Sequence, residues 1–391
     1  MISSVIGILA LLLVFPRAEA RARREAVLKD TAAAQQRAWR VARPDYRWSF
    51  PRDHWSHPGY RAEWWYFTGQ LAAPGDTVPR YGYQFTLFRV GVLPAAPPWA
   101  SDWSASDVVM GHAAVTELAT GRHTFSETLV RATPLLGGFG RPGAGDGLVA
   151  WCVAPAGTDG RWTLSWRDNR FTFAMRDARL GIALDLTAEP ARPLTLQGPN
   201  GYSRKGAAPD NASQYYSITR LATSGTVTAA GRTVRVSGTS WMDQEFGSNQ
   251  LGAAAAGWDW FSLQLGDGRD VMLYLLRDTT GATTWSAGTV GRPGAAPRHL
   301  AAADYRVRAT AHWTSRASGA RYPARWTVEI PSERLLLTVE PLLADQENRS
   351  AIATRLFYWE GAVRVRGAAG RPAGRGYVEL TGYGASLVPA I

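Results

Sequence analysis

One cysteine, Cys152, stands in a chain of 391 residues. An intrachain disulfide is therefore excluded, as is any Cys-rich zinc or iron–sulfur centre. Lysine is almost as scarce, with only Lys29 and Lys205, so the 43 basic residues are nearly all arginine. The net charge of +11 is scattered singly, with no basic stripe and no reader motif, and nucleic acid is not an expected partner. Usage this rich in Arg, Ala and Gly fits a GC-rich genome. Histidine is also sparse. His54 and His57 lie in a Pro-flanked stretch with no matching acidic ligand pattern, so a surface or loop role is expected and metal binding is not. No G-x-S-x-G elbow, P-loop or dinucleotide fingerprint occurs, and no cofactor is expected.

What is present is a globular composition, 46% hydrophobic and 19% charged. The length suits two domains of about 150 to 200 residues each. The chain opens on an apolar stretch, Met1 to Phe15, followed by Pro16 and the small-x-small triplet Ala18-Glu19-Ala20. Residues 1–20 read as a secretory signal peptide, with export to the periplasm as the expectation. Arg17, Arg21, Arg23 and Arg24 flank the run on its C-terminal side, and an uncleaved anchor close to a membrane is the alternative. Residues 21–47 read as a linker or short helix, and the folded part begins at Trp48.

From there the chain breaks into short Val-, Thr-, Tyr-, Phe- and Trp-rich runs punctuated by Gly, Pro, Asp and Asn. Ala62 to Gly69, Tyr81 to Val90, Thr233 to Trp241, Trp258 to Leu265 and Gly376 to Tyr383 are examples. The expected class is all-β, with two successive barrels or sandwiches joined near residue 250. Two long loops, Leu93 to Ser106 and the Gly-rich Gly137 to Gly147, suit binding or lid elements and equally suit disorder.

The acids are the informative residues. In SWMDQEFGS a two-residue period puts Trp241, Asp243 and Glu245 on one face, and Met242, Gln244 and Phe246 on the other. Asp259 shares its face with Phe261, Leu263 and Leu265; Glu63 shares its face with Trp65 and Phe67. A carboxyl on an apolar face is desolvated, and its pKa rises unless a cation or donors compensate. Such a group can give up a proton near neutrality. Equally, each acid could be a structural partner of an arginine, with Arg89 and Arg220 as candidates. Cys152, beside Trp151, reads as a small buried hydrophobe.

Several motifs occur in order: EWWYFTG (63–69), YQFTLFR (83–89), GYSRKG (201–206), ASQYYSITRL (212–221), SWMDQEFGS (240–248), GWDWFSLQL (257–265), FYWEGAVRVRG (357–367) and GYVELTGY (376–383). Together they resemble the carotenoid 1,2-hydratase/AttH family of lipocalin-like proteins over nearly all the chain after residue 50. The resemblance implies two tandem lipocalin-like β-barrel domains, 48–248 and 249–391, after the signal segment. It implies an apolar ligand, isoprenoid, polyene or lipid, and in some members hydration of a C=C bond. Other members are exported and associated with ABC transport systems. The chain departs from one form of the motif at Gln244, where His or Arg often stands between the two acids.

Hydration of an alkene needs an acid to protonate carbon, a surface that tolerates the cation, and a positioned water. The catalytic candidates are Asp243, Glu245 and Asp259. The ligand-lining candidates are Glu63, Trp64, Tyr66, Tyr215, Tyr216, Trp241, Trp258 and Trp260; the rings of Trp64, Tyr66, Trp241, Trp258 and Trp260 could face a cation, and Tyr215 or Tyr216 could activate the water. The acid pair favours an enzyme. Export favours a non-catalytic periplasmic lipid carrier or transport accessory protein.

Overall fold

The structure, a computed structural model, describes residues 39–95, 101–249, 251, 255–352 and 357–383. The expected signal peptide, and the linker as far as residue 38, lie outside the described residues. Among the described residues there are 23 strands, five short 3-10 turns and no α-helix. Thirteen strands, from Ala62 to Gly247, form one antiparallel sheet, and ten, from Gly257 to Leu380, form the other. Each sheet rolls into a barrel around its own apolar core.

Alternation decides which side chains fill each core. In the Ala62–Ala72 strand, Trp65, Phe67 and Leu71 point into the first barrel, where they meet Phe85, Trp162 and Phe173. In the Gly257–Leu265 strand, Phe261, Leu263 and Leu265 point into the second, against Trp326 and Trp359. The tight link between Gly257–Leu265 and Asp270–Arg277 uses Gly268 at φ +93°, a conformation that glycine adopts at no steric cost. The ends of the first sheet meet through Thr128 Oγ1, which donates to the Val153 carbonyl at 3.2 Å, and Ser126 Oγ, which donates to Asp177 at 2.8 Å.

Side chains on the outward faces of the two barrels pack on each other. Tyr66, Tyr215, Trp241, Trp260, Met272, Tyr274, Leu276, Ala362 and Tyr377 make a third apolar cluster, with residues from both sheets. Glutamines fasten the seam. Gln70 Nε2 donates to the carbonyls of Val363 (2.8 Å) and Gly376 (2.9 Å), and Gln264 Nε2 donates to those of Thr219 (2.7 Å) and Ser240 (3.0 Å). Arg192 and Arg220 of the first barrel both reach Asp270 of the second, at 2.8 and 2.7 Å. A Cβ added at Gly82 would lie 2.9 Å from Ala362 Cβ, so glycine there permits the close approach.

Several expectations need adjustment. His54 and His57 are in a loop but not at the surface, being 3% and 8% exposed. Of the Gly-rich loop, Gly137–Phe139 is a strand paired with Leu148–Val153. Part of the Pro-rich loop, residues 96–100, is outside the described residues. Cys152 is buried and unpaired.

Candidate functional site

Two rows of cross-strand neighbours face one another across the seam. On the first barrel, Tyr66 is opposite Asp243 and Trp64 is opposite Glu245; Asp243 is in turn opposite Ser217, and Glu245 opposite Tyr215. On the second, Glu360 is opposite Glu379, Glu379 opposite Trp260, and Trp260 opposite Tyr274. Between them lies a cavity of about 120 Å³. That is room for several waters or the end of an apolar chain. Its walls include Trp64, Trp258, Trp260, Phe88 and Leu276, together with Asp243, Glu245, Glu360, Glu379, His112 and Lys205.

Asp243 is held by three donors: Tyr215 Oη at 2.6 Å, Trp241 Nε1 at 2.7 Å and Ser217 Oγ at 2.5 Å. Trp260 Nε1 donates to Tyr215 Oη at 3.2 Å, extending the chain of donors across the seam. Burial pushes the Asp243 carboxyl up to about 7; the three hydrogen bonds oppose it and the charge of Glu245 adds to it. Asp243 can therefore carry or release a proton near neutral pH.

Glu245 is balanced differently. Lys205 Nζ lies 2.9 Å away and Ser213 Oγ donates to the same carboxylate. Burial works against the Lys205 charge, but Glu245, Tyr274 and Asp243 more than offset it and raise its pKa. Its ammonium also sits 4.1 Å from the centre of the Tyr274 ring. In a chain that uses arginine almost everywhere, one of the two lysines is placed in this cavity.

Glu360 and Glu379 are directly opposite on adjacent strands, an arrangement that disfavours ionising both. Burial and the Glu379 charge hold Glu360 well above the usual carboxylate range. Burial pushes Glu379 up to about 7, with Asp243 and Glu245 adding to the shift. Asn348 Nδ2 donates to Glu360 at 3.1 Å. His112, hydrogen-bonded to Tyr358 Oη at 2.7 Å, is pulled down to about 3 by burial and is neutral.

Of the residues expected at the site, the structure brings together Asp243, Glu245, Trp64, Tyr66, Tyr215, Trp258 and Trp260 as cavity walls, with Trp241 packed behind them. The others lie elsewhere. Glu63 points into the first barrel, where it takes Arg89 Nε at 3.2 Å, His57 Nδ1 at 2.6 Å and Gln244 Nε2 at 2.9 Å. Tyr216 faces the same network, donating to Gln244 Oε1 at 2.6 Å and pairing with His54 Nδ1 at 2.7 Å. Burial alone would strip the His57 proton; Glu63 and Asp53 together hold its pKa up. Gln244 thus faces away from the acid pair and makes none of its hydrogen bonds with it. Asp259 points into the second barrel, where Arg277 Nε lies at 2.9 Å and Tyr383 Oη at 2.9 and 3.1 Å. Arg220, weighed as a partner for these acids, pairs with Asp270 instead.

Sequence reasoning did not single out Lys205, His112, Glu360 or Glu379 for the site. The signal available was in the motifs: the Glu of YWEG and the Glu of GYVELTGY are each the acid on an apolar strand.

Two antiparallel barrels packed flank to flank, with an acid-bearing aromatic cavity between them, define a tandem lipocalin-like protein whose candidate site belongs to neither barrel alone. The chain belongs to the AttH-like family, whose family model matches residues 41–383. A solved structure designated AttH, from Nitrosomonas europaea, is 30% identical, with a TM-score of 0.76 over 88% of this chain and 100% of that one. Kievitone hydratase from Nectria haematococca is 14% identical, with a TM-score of 0.59 over 89% of this chain and 95% of that one, a likeness of fold. A sequence search of curated proteins finds no significant match.

Proposed function

We propose that the seam cavity binds the unsaturated end of an apolar ligand, of isoprenoid or polyene type, and adds water across its terminal double bond by acid catalysis. The observation that carries this reading is Asp243, a carboxyl poised near pH 7 in a cavity walled by aromatic rings. Its proton passes to the less substituted carbon of the double bond, which leaves the positive charge on the tertiary carbon. That cation faces Tyr66, Trp260 and Trp258. A water attacks that carbon and gives a proton to the Glu360–Glu379 pair, which has one site to fill whenever one of the two is ionised. Proton return to Asp243 closes the cycle, and the net change is addition of H and OH. Glu245 is engaged by Lys205 and Ser213 and has no step of its own.

The test is incubation of purified protein with acyclic polyenes and shorter isoprenoid alkenes, followed by mass spectrometry for the tertiary alcohol. Alcohol that disappears in Asp243→Asn supports the reading. A ligand that is bound yet returned unchanged defeats it, and fits the periplasmic carrier or transport accessory role expected from export.

A further inference from the structure

The carboxylates that Lys205 does not answer set the charge of the best ligand. Asp243 faces the seam from the first barrel, and Glu360 and Glu379 face it from the second. Among the described residues no arginine lines the cavity, and its lysine is engaged by Glu245, Ser203 and the Tyr274 ring. The Tyr66 hydroxyl, on a side chain only 6% exposed, lines the same space beside Glu360. Ring edges and faces supply much of the rest of the wall, with Tyr66 set edge-on to Trp260 at 5.3 Å. Aromatic walls with carboxylates that hydrogen-bond donors hold but no cation answers are the recognition chemistry of a desolvated organic cation.

We infer that the seam cavity selects ligands whose buried end is positively charged, an alkyl chain ending in a quaternary ammonium group. The inference rests on the cavity being the binding site; such a ligand carries at its buried end the charge that an alkene acquires on protonation, and is bound without turnover. A strongly hydrated metal ion is a poorer occupant, because much of the wall is carbon.

The cation would take the place of the protons that keep Asp243, Glu360 and Glu379 neutral, so its binding tightens as pH rises through about 7. Other titratable groups face the cavity as well. Glu245 and Lys205 lie 2.9 Å apart as an ion pair, and burial keeps His112 neutral. Burial holds the Tyr66, Tyr215 and Tyr358 hydroxyls protonated, and Tyr274 faces Lys205.

The experiment is calorimetric titration of the full chain with hexyltrimethylammonium, 1-hexanol and hexanoate at pH 6 and pH 8.5. The expected result is that the ammonium binds at least about tenfold tighter than hexanol at pH 8.5, that the preference shrinks by about tenfold at pH 6, and that ammonium binding at pH 6 releases protons. Glu379→Gln and Glu360→Gln should each reduce the preference while leaving hexanol binding in place, which also reports that the variants are folded. Asp259→Asn, in the second barrel, should change none of the three affinities. Hexanol binding as tightly as the ammonium at both pH values overturns the charge selection and leaves the cavity as a binding site. If none of the three binds, the cavity is not a binding site and both readings fall.

Discussion

Asp243→Asn probes the cavity through folding stability as well as turnover. A carboxyl whose pKa rises on folding makes the native state retain a proton that the unfolded chain has already lost. Its contribution to stability is full below the unfolded value of 3.8, falls as pH rises, and is gone above about 7. At about 1.4 kcal/mol per pH unit the whole span is worth ~4 kcal/mol, of which ~2.5 kcal/mol falls between pH 5 and pH 8. Asparagine keeps a carbonyl oxygen for Ser217 and Trp241 and has no proton to lose. Urea unfolding at pH 5 and pH 8 should therefore show the wild type losing ~2.5 kcal/mol more than the variant over that interval. The neighbouring Glu379, whose shift draws on the Asp243 charge, titrates lower in the variant and reduces the remaining slope in the same direction. Parallel pH dependences for the two proteins would refute the claim that Asp243 is protonated in the folded cavity.

Other variants separate the cavity from the networks behind it. Lys205→Met leaves Glu245 buried without its cation and should cost ~3 kcal/mol in urea unfolding; adding Glu245→Gln should recover most of that loss. Glu63→Gln removes a partner of both Arg89 and His57 and should destabilise by ~3 kcal/mol with ligand affinity unchanged, since the network lies inside the first barrel. Gln244→Ala removes one of the two partners of the Tyr216 hydroxyl and a donor to Glu63, and should cost ~1–3 kcal/mol in stability with no change in turnover of the folded protein.

Much of this was legible in the strands themselves. The alternation of Trp241, Asp243 and Glu245 survives because Arg232–Gly247 runs as one strand through the motif, so the two-residue period holds. The same rule divides Glu63 from Trp64, and Tyr215 from Tyr216: adjacent residues of a strand cannot line one cavity, and the sheet sends Glu63 and Tyr216 inward. It separates Asp259 from Trp258 and Trp260 as well. What the chain did not disclose was the partner of each face. Glu360 and Glu379 come to Asp243 from more than a hundred residues away, through pairing of the second sheet and packing of one barrel on the other. No local pattern encodes that contact. The outward faces of the two barrels enclose the space between them, and that enclosure depends on packing alone.

The central claim, that proton-transfer chemistry belongs to the seam and not to either barrel interior, is tested most directly by hydration of an isoprenoid alkene in deuterated water by three proteins: wild type, Asp243→Asn and Asp259→Asn. The account predicts a tertiary alcohol carrying one solvent deuterium on the adjacent carbon from wild type and from Asp259→Asn, and none from Asp243→Asn. Product from Asp243→Asn at the wild-type rate, or its loss only in a folded Asp259→Asn, would contradict the account.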